Sequence, residues 1–254
     1  MVKARPAKLR VRSTPGMGHR ATRTWGEVDM ALDVLITGAN RGIGLEIARQ
    51  LSQRGDRVVA TVRNPDAAAD LRALDVRLET LDVTSADQVA RLAAALDPGA
   101  LDVLVNNAGV GVRDRPLGEL DFEKMSQFFD TNALGAMRVA EALLPHLRRG
   151  NTRKILNMTS LMGSVSDNST GGSYAYRASK AALNMLNRSL AIDLAGDGFT
   201  CVVLHPGWVQ TDMGGSAAPT PVHESAAGLV RLIDELGQED SGNFFNFAGQ
   251  ELPW

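Results

Sequence analysis

Tyr176 and Lys180 stand four residues apart, and on a helix that spacing places both on one face, one turn from each other. The motif around them is Tyr174-Ala175-Tyr176-Arg177-Ala178-Ser179-Lys180, which holds both tyrosines of the chain. A phenol ionises near pKa ~10 and is a poor base at neutral pH. An ammonium about 4 Å away would favour the phenolate by roughly 4 kcal/mol at an effective dielectric of about 20. That attraction lowers the phenol pKa by up to ~3 units before any desolvation cost. A tyrosine tuned in this way can exchange a proton with an alcohol or carbonyl oxygen near physiological pH. The same pair also occurs on ordinary solvated helices, so the remainder of the chain has to decide between the two readings.

The elements that would position this pair read as alternating strands and helices. Residues 32–37 form a short apolar run ending at glycine, the pattern of a buried parallel strand. Gly38-Ala39-Asn40-Arg41-Gly42-Ile43-Gly44 follows, then a helical pattern through Ile47, Ala48 and Leu51. In such a strand-turn-helix unit, glycines let the backbone approach a pyrophosphate at the helix N-terminus, where amides and dipole favour anions. A second strand at 57–62 runs straight into Arg63, a helix is expected at 66–74, and a third strand at 76–81 leads to Asp82 and Val83. Asp82 either contacts a ligand at the strand's carboxyl end or caps a helix starting near Ser85. A fourth strand at 101–105 ends in Asn106-Asn107-Ala108-Gly109, whose amides either wall a cofactor site or bind turn backbone.

Residues 121–147 read as one long helix with Asn132 inside it, mildly unfavourable there unless it serves a site or faces solvent. The strand at 154–159 delivers Ser160, a hydroxyl placed to hold a substrate oxygen, and a Gly/Ser-rich loop at 163–173 leads into the Tyr176 helix. A strand at 199–204 ends in His205-Pro206-Gly207, where His205 reads as structural. Residues 208–223 read as a lid and substrate wall, and a helix at 224–236 and a strand at 243–247 complete the array.

Composition narrows the class. A chain of 254 residues with 44% apolar and 22% charged residues builds one large α/β domain and needs no covalent staples. Cys201 is the only cysteine, which excludes an intrachain disulfide and suits a cytoplasmic protein; no metal site and no membrane span are expected. Residues 1–29 carry Lys3, Arg5, Lys8, Arg10, Arg12, Arg20 and Arg23 against Glu27 and Asp29, without apolar periodicity. They are expected to form a disordered basic arm, or to reflect a translation start that truly lies at Met30; a nucleic-acid role is not expected.

In this order the landmarks resemble the classical short-chain dehydrogenase/reductase family over about residues 32–254. Thr37-Gly38-x-x-x-Gly42-x-Gly44 is similar to its cofactor motif and Asn106-Asn107-Ala108-Gly109 to its central-strand motif. Asn132, Ser160, Tyr176 and Lys180 fall where its catalytic tetrad falls, and Pro206-Gly207 with Thr211 resembles the segment flanking the nicotinamide. The ending, Asn243-Phe244-Phe245-Asn246-Phe247 and then Leu252-Pro253-Trp254, resembles the C-factor and sniffer-like carbonyl reductase subgroup. The basic arm departs from the family pattern.

The resemblance implies a single Rossmann-type domain, a doubly wound parallel sheet of about seven strands, over residues 30–254. It implies NAD(P)-dependent interconversion of a carbonyl and an alcohol, with Tyr176 as proton donor, Ser160 holding the oxygen, Lys180 tuning the tyrosine and binding the nicotinamide ribose, and Asn132 holding a relay water. It also assigns Asn40, Ile43, Val83, Ala108, Gly109 and Val209 to the cofactor site. Thr61-Val62-Arg63-Asn64 lacks the carboxylate that grips ribose hydroxyls in NAD enzymes, while Arg63 and Arg41 could meet a 2′-phosphate, so NADP(H) is the expected cofactor. The rival readings are a non-catalytic dinucleotide-binding or signalling protein on the same fold and a cofactor-using epimerase. The Tyr176 helix carries Leu183, Met185, Leu186, Leu190, Ile192 and Leu194, and the long helix before it Phe128, Phe129, Met137, Val139, Leu143 and Leu144. These faces are too apolar for helices with a solvated side, and a homodimer or homotetramer is expected.

Overall fold

The first strand, β1 (Asp33–Ile36), shows how the layers arise. Val34 and Ile36 point into one apolar cluster and Leu35 into another, and none of the three is exposed. Period-two alternation with both faces buried produces a continuous apolar run, as in a sheet covered by helices on both sides. The computed structural model describes residues 31–111 and 116–254; the basic arm and the start-site question lie outside the described residues.

Six further strands follow: β2 (Arg57–Val62), β3 (Arg77–Thr80), β4 (Val103–Asn106), β5 (Lys154–Met158), β6 (Thr200–His205) and β7 (Phe244–Asn246). They form one seven-stranded sheet in the order β3-β2-β1-β4-β5-β6-β7, and every pairing is parallel. The order reverses between β1 and β4, so a crevice opens outside their carboxyl ends, where ligands bind in such sheets. Helices α1 (Gly42–Arg54) and α7 (Val222–Glu235) cover one face through Ile47, Leu51, Leu229 and Ile233. Helices α3 (Ala86–Leu96), α5 (Gly135–Arg149) and α6 (Tyr174–Asp193) cover the other through Leu92, Val139, Leu143 and Ala191. Beyond β7 the chain turns back: Glu251 bridges Phe245, and the Leu252 amide donates to the Phe244 carbonyl, which blunts the open edge.

Three expectations change. The helix foreseen at 66–74 is a 3₁₀ turn, Pro65–Ala67, followed by the four-residue α2 (Ala69–Arg72). The Asn64 side chain accepts from the Asp66 amide, and Ala68 leaves the helical region (φ −118°, ψ 36°), so the two pieces do not join. The long helix is α4 (Phe122–Phe129), a π-helical turn (Asp130–Leu134) and α5, and Asn132 lies in the π turn. Five of the twelve apolar residues named for a subunit interface belong to the monomer core: Phe128, Val139, Leu143, Leu183 and Leu194 are buried. Phe122, Phe129, Met185 and Ile192 remain as exposed large apolar side chains on α4 and α6.

Candidate active site

The glycine turn is shaped by close backbone packing. Gly38 (φ 66°) and Gly42 (φ 56°) occupy the left-handed region that side chains disfavour. A Cβ on Gly38 would lie 2.9 Å from Ala108 Cα, and one on Gly44 would lie 2.4 Å from Asn107 Nδ2 and 2.7 Å from the Gly38 carbonyl. Asn107 Nδ2 donates to the carbonyls of Thr37 (2.9 Å) and Gly38 (3.0 Å), while the Thr37 hydroxyl accepts from the amides of Asn107 and Ala108, each at 3.0 Å. Of the two roles left open for the β4 exit, Asn107 therefore performs the backbone-binding one. Sequence reasoning places Thr37 at the head of the cofactor motif without a role of its own; its hydroxyl, directly before the glycines, is what ties the β4 exit to the turn. No side chain caps α1, and its first turn holds no acidic residue, so its amino-terminal amides face the crevice without a charge of their own.

Arg63 follows β2 on the surface and has no hydrogen bond or ion pair among the described residues. Its charge helps hold the Asp82 carboxyl below the usual range, although the larger causes are hydrogen bonds from the Thr84 hydroxyl (2.7 Å) and amide (2.9 Å). Ser85, not Asp82, caps α3 by accepting from the Gln88 amide. The Val83 side chain is a correction: it packs in the core against Gly135, so only its backbone could face a ligand. Arg41 turns the other way, its Nη1 2.8 Å from Asp212 Oδ2. Thr211 lies against Gly42, its methyl 3.3 Å from where a Cβ there would stand. Pro206 accepts the Ser225 hydroxyl at 2.7 Å, Gly207 (φ 89°) leaves room for the Phe247 ring, and Val209 is buried beneath its own loop, paired with Thr220. Asn40 and Ile43 are half-buried in the turn.

The catalytic candidates converge from β5, α6 and the π turn. Ser160 lies two residues past β5, near enough to the Tyr176 phenol to pull its pKa down, and its hydroxyl oxygen accepts from the Met162 amide at 3.1 Å. The amino end of α6 follows three left-handed residues, Gly171, Gly172 and Ser173 (φ 67°, 65° and 47°). Lys180 is buried, its Nζ donating to the Met158 carbonyl at 2.8 Å and lying 5.8 Å from the Tyr176 ring centroid. Asn132 is 1% exposed. Its Oδ1 accepts from the Val110 amide (2.8 Å), and its Nδ2 donates to the Val110 carbonyl (2.9 Å) and to Ser179 Oγ (3.0 Å). Both amide hydrogens are thereby used, so the Asn132 side chain clamps the segment after β4 and has no donor left for a relay water. A Cβ on Gly109 would stand 3.2 Å from Asn132 Oδ1 and 3.6 Å from Lys180 Nζ, which leaves a strip of bare backbone beside the lysine.

The electrostatics reverse the tuning expected from spacing. Burial raises the Tyr176 pKa above its ordinary value, and the hydrogen bond with Ser160 opposes this. Burial pushes Lys180 down to about 8. Removing each charged form from water outweighs the attraction between them, because the ammonium lies over the ring and against a carbonyl instead of at the phenol oxygen.

The sequence matches the short chain dehydrogenase family over residues 33–221, most of the chain. The chain belongs to that family. Among curated relatives, the C-signal protein of Myxococcus xanthus is 53% identical over 156 residues, 61% of this chain and 94% of that one. The carbonyl reductase Sniffer of D. melanogaster superposes with a TM-score of 0.84 at 35% identity, covering 88% of this chain and 100% of that one. The NADPH-bound carbonyl reductase from chicken fatty liver follows at TM-score 0.83 and 34% identity, covering 88% and 99%. The narrower likeness to C-factor and sniffer-like members, seen first in the C-terminal residues, extends over 61% of the chain for the C-signal protein and 88% for Sniffer. For a short-chain dehydrogenase the bare turn at Gly38, Gly42 and Gly44, the uncapped start of α1 and the strip at Gly109 fit a dinucleotide, since side chains there would occupy its place.

Proposed function

We propose that this short-chain dehydrogenase interconverts a carbonyl compound and its alcohol with NADP(H). The observation that carries the reading is the convergence of the Ser160 hydroxyl on the Tyr176 phenol, with the buried Lys180 one helical turn on. The structural neighbours are carbonyl reductases, one of them with NADPH bound, and this supports both the reaction class and the cofactor. When bound, the nicotinamide supplies hydride to the carbonyl carbon. Tyr176 gives its phenolic proton to the carbonyl oxygen, and its raised pKa keeps that proton in place until it is needed. Ser160 orients the same oxygen. Lys180, held by Met158 beside Gly109, would bind the nicotinamide ribose, and Asn132 fixes the segment after β4 at Val110. The backbone of 38–44 and the start of α1 would hold the pyrophosphate, Arg63 and Arg41 the 2′-phosphate, Asp82 and Val83 backbone the adenine side, and Pro206, Gly207 and Thr211 the nicotinamide side.

The test is a panel of aldehydes, ketones and quinones incubated with NADPH while the reduced-nicotinamide absorbance is followed. One equivalent of NADPH should be consumed per alcohol formed. Isomerised product without net NADPH loss would mean an epimerase, and inertness with intact NADPH binding would mean a non-catalytic protein.

The proposal extends to a homodimer or homotetramer through α4 and α6, supported by Phe122, Phe129, Met185 and Ile192 on the surface. A monomer in sedimentation at micromolar concentration would remove that part. A cytoplasmic location is supported by the single buried Cys201. No helix among the described residues is long and apolar enough to cross a membrane.

A further inference from the structure

The segment 211–213 touches both ends of the proposed cofactor site. Thr211 abuts Gly42 in the phosphate turn. Two residues on, Met213 Sδ lies 2.9 Å and Tyr176 Cε2 3.1 Å from the point where a Cβ on Gly111 would stand, so Met213 flanks the catalytic ring. Between them, Asp212 holds Arg41 across 171 residues of sequence. The segment is tied to its own loop. Thr211 accepts the amides of Gly214 (3.2 Å, at its hydroxyl) and Gly215 (2.8 Å, at its carbonyl), Trp208 Nε1 donates to the Gly214 carbonyl at 2.8 Å, and the Gln210 amide donates to Thr220 at 2.9 Å. Asp212 is therefore presented to Arg41 by a braced loop and is not a freely wandering carboxylate.

We infer that Asp212 is a cofactor-discriminating residue: it occupies the Arg41 guanidinium that a 2′-phosphate would take, and so weakens NADPH binding without affecting NADH. The inference rests on the phosphate role proposed for Arg41. Asp212 holds Nη1 and neutralises part of the guanidinium's charge, so a phosphate approaching the remaining N–H groups competes with the carboxylate for it. A ribose without the 2′-phosphate has no need of that fork and leaves the pair intact. Once displaced, Asp212 stays near the phosphate on its braced loop, where like charges repel. Both side chains are well exposed, 67% and 74%, so the pair is of the weak, screened kind. An exposed pair contributes at most about 1 kcal/mol, which sets the expected effect at up to about fivefold in affinity.

Dissociation constants for NADPH and NADH, measured by tryptophan fluorescence at low salt, test this in the full chain, in Asp212→Asn, in Arg41→Ala and in the double variant. Asp212→Asn should bind NADPH about 2- to 5-fold more tightly and NADH unchanged, and the gain should vanish when Arg41 is also replaced. The inference is overturned if NADPH affinity does not change, if both cofactors shift alike, or if the gain survives in the double variant. Failure of the phosphate reading has a different signature: Arg41→Ala and Arg63→Ala would each weaken NADPH and NADH to the same extent.

Discussion

The two ends of the sheet handle charge in opposite ways. At the amino end the chain satisfies its own charges. Asp33 takes both nitrogens of the Arg57 fork at 2.5–2.6 Å. Asp56 binds Arg54 and the Leu32 amide, and buried Asp102 accepts the amides of Asp33 and Asn151. A cavity of about 460 Å³ opens there between Asp33, Arg57, Arg77 and His146; Asp33, Asp56, Arg57 and Arg77 are paired with neighbours, whereas the ring nitrogens of buried His146 are left without a close hydrogen bond, and the cavity lies at the end of the sheet away from the glycine turn. At the carboxyl end, groups are left over: Arg63 makes no hydrogen bond or ion pair among the described residues, no side chain caps α1, and bare glycine backbone lines the crevice. The difference teaches that cavity volume does not mark the working end: in an open parallel sheet it is the carboxyl end, where the strand order reverses and glycine backbone is left bare.

Substitutions at the two ends should separate into losses of function and losses of stability. The largest effect belongs to Tyr176→Phe, which keeps the ring and removes the proton. Turnover should fall by about 10²- to 10⁴-fold with NADPH binding retained, as measured by steady-state kinetics and titration. Near wild-type turnover would break the mechanism.

Next comes a titration at the carboxyl end. Burial pushes His205 down to about 4, against a smaller opposing pull from Asp167. A depressed folded pKa means that the unfolded chain takes up a proton first as pH falls below about 6.5. Stability should therefore be full above that value and decline by up to about 3 kcal/mol as pH approaches 4. Urea unfolding of wild type and His205→Gln across this range checks it, since only the wild type should carry this part of the slope. His146, at the amino end, is shifted in the same direction, with burial as the main cause.

Arg63→Ala should cost one charge-assisted contact, about 1.5–3 kcal/mol, or roughly 10- to 150-fold in NADPH affinity, with NADH nearly unaffected. Equal weakening of both cofactors would remove Arg63 from the phosphate site. The smallest effect on function is expected from Asp102→Ala at the amino end. It strands two backbone amides and should cost about 1–3 kcal/mol of unfolding free energy while leaving both cofactor affinities alone. A change in NADPH affinity would show that the two ends are coupled and the contrast false.

Sequence alone carried the strands, the glycine turn, the tyrosine and lysine one turn apart, and Ser160 at a strand end. These follow from short-range rules: side-chain alternation with period two, helical period 3.6, and the freedom of glycine at positive φ. The parallel sheet of about seven strands came from the family resemblance, and the apolar runs alternating with helical patterns located its strands along the chain. What required the tertiary structure depends on partners distant in the chain or on water removed. Asn132 meets Val110 across 22 residues and Arg41 meets Asp212 across 171, and neither pairing has a local signature. Val83 goes to the core because Gly135 of α5 lies beside it. Burial raises the Tyr176 pKa where residue spacing alone has it lowered, because desolvation is decided by every element that packs around a group and not by its neighbour one turn away.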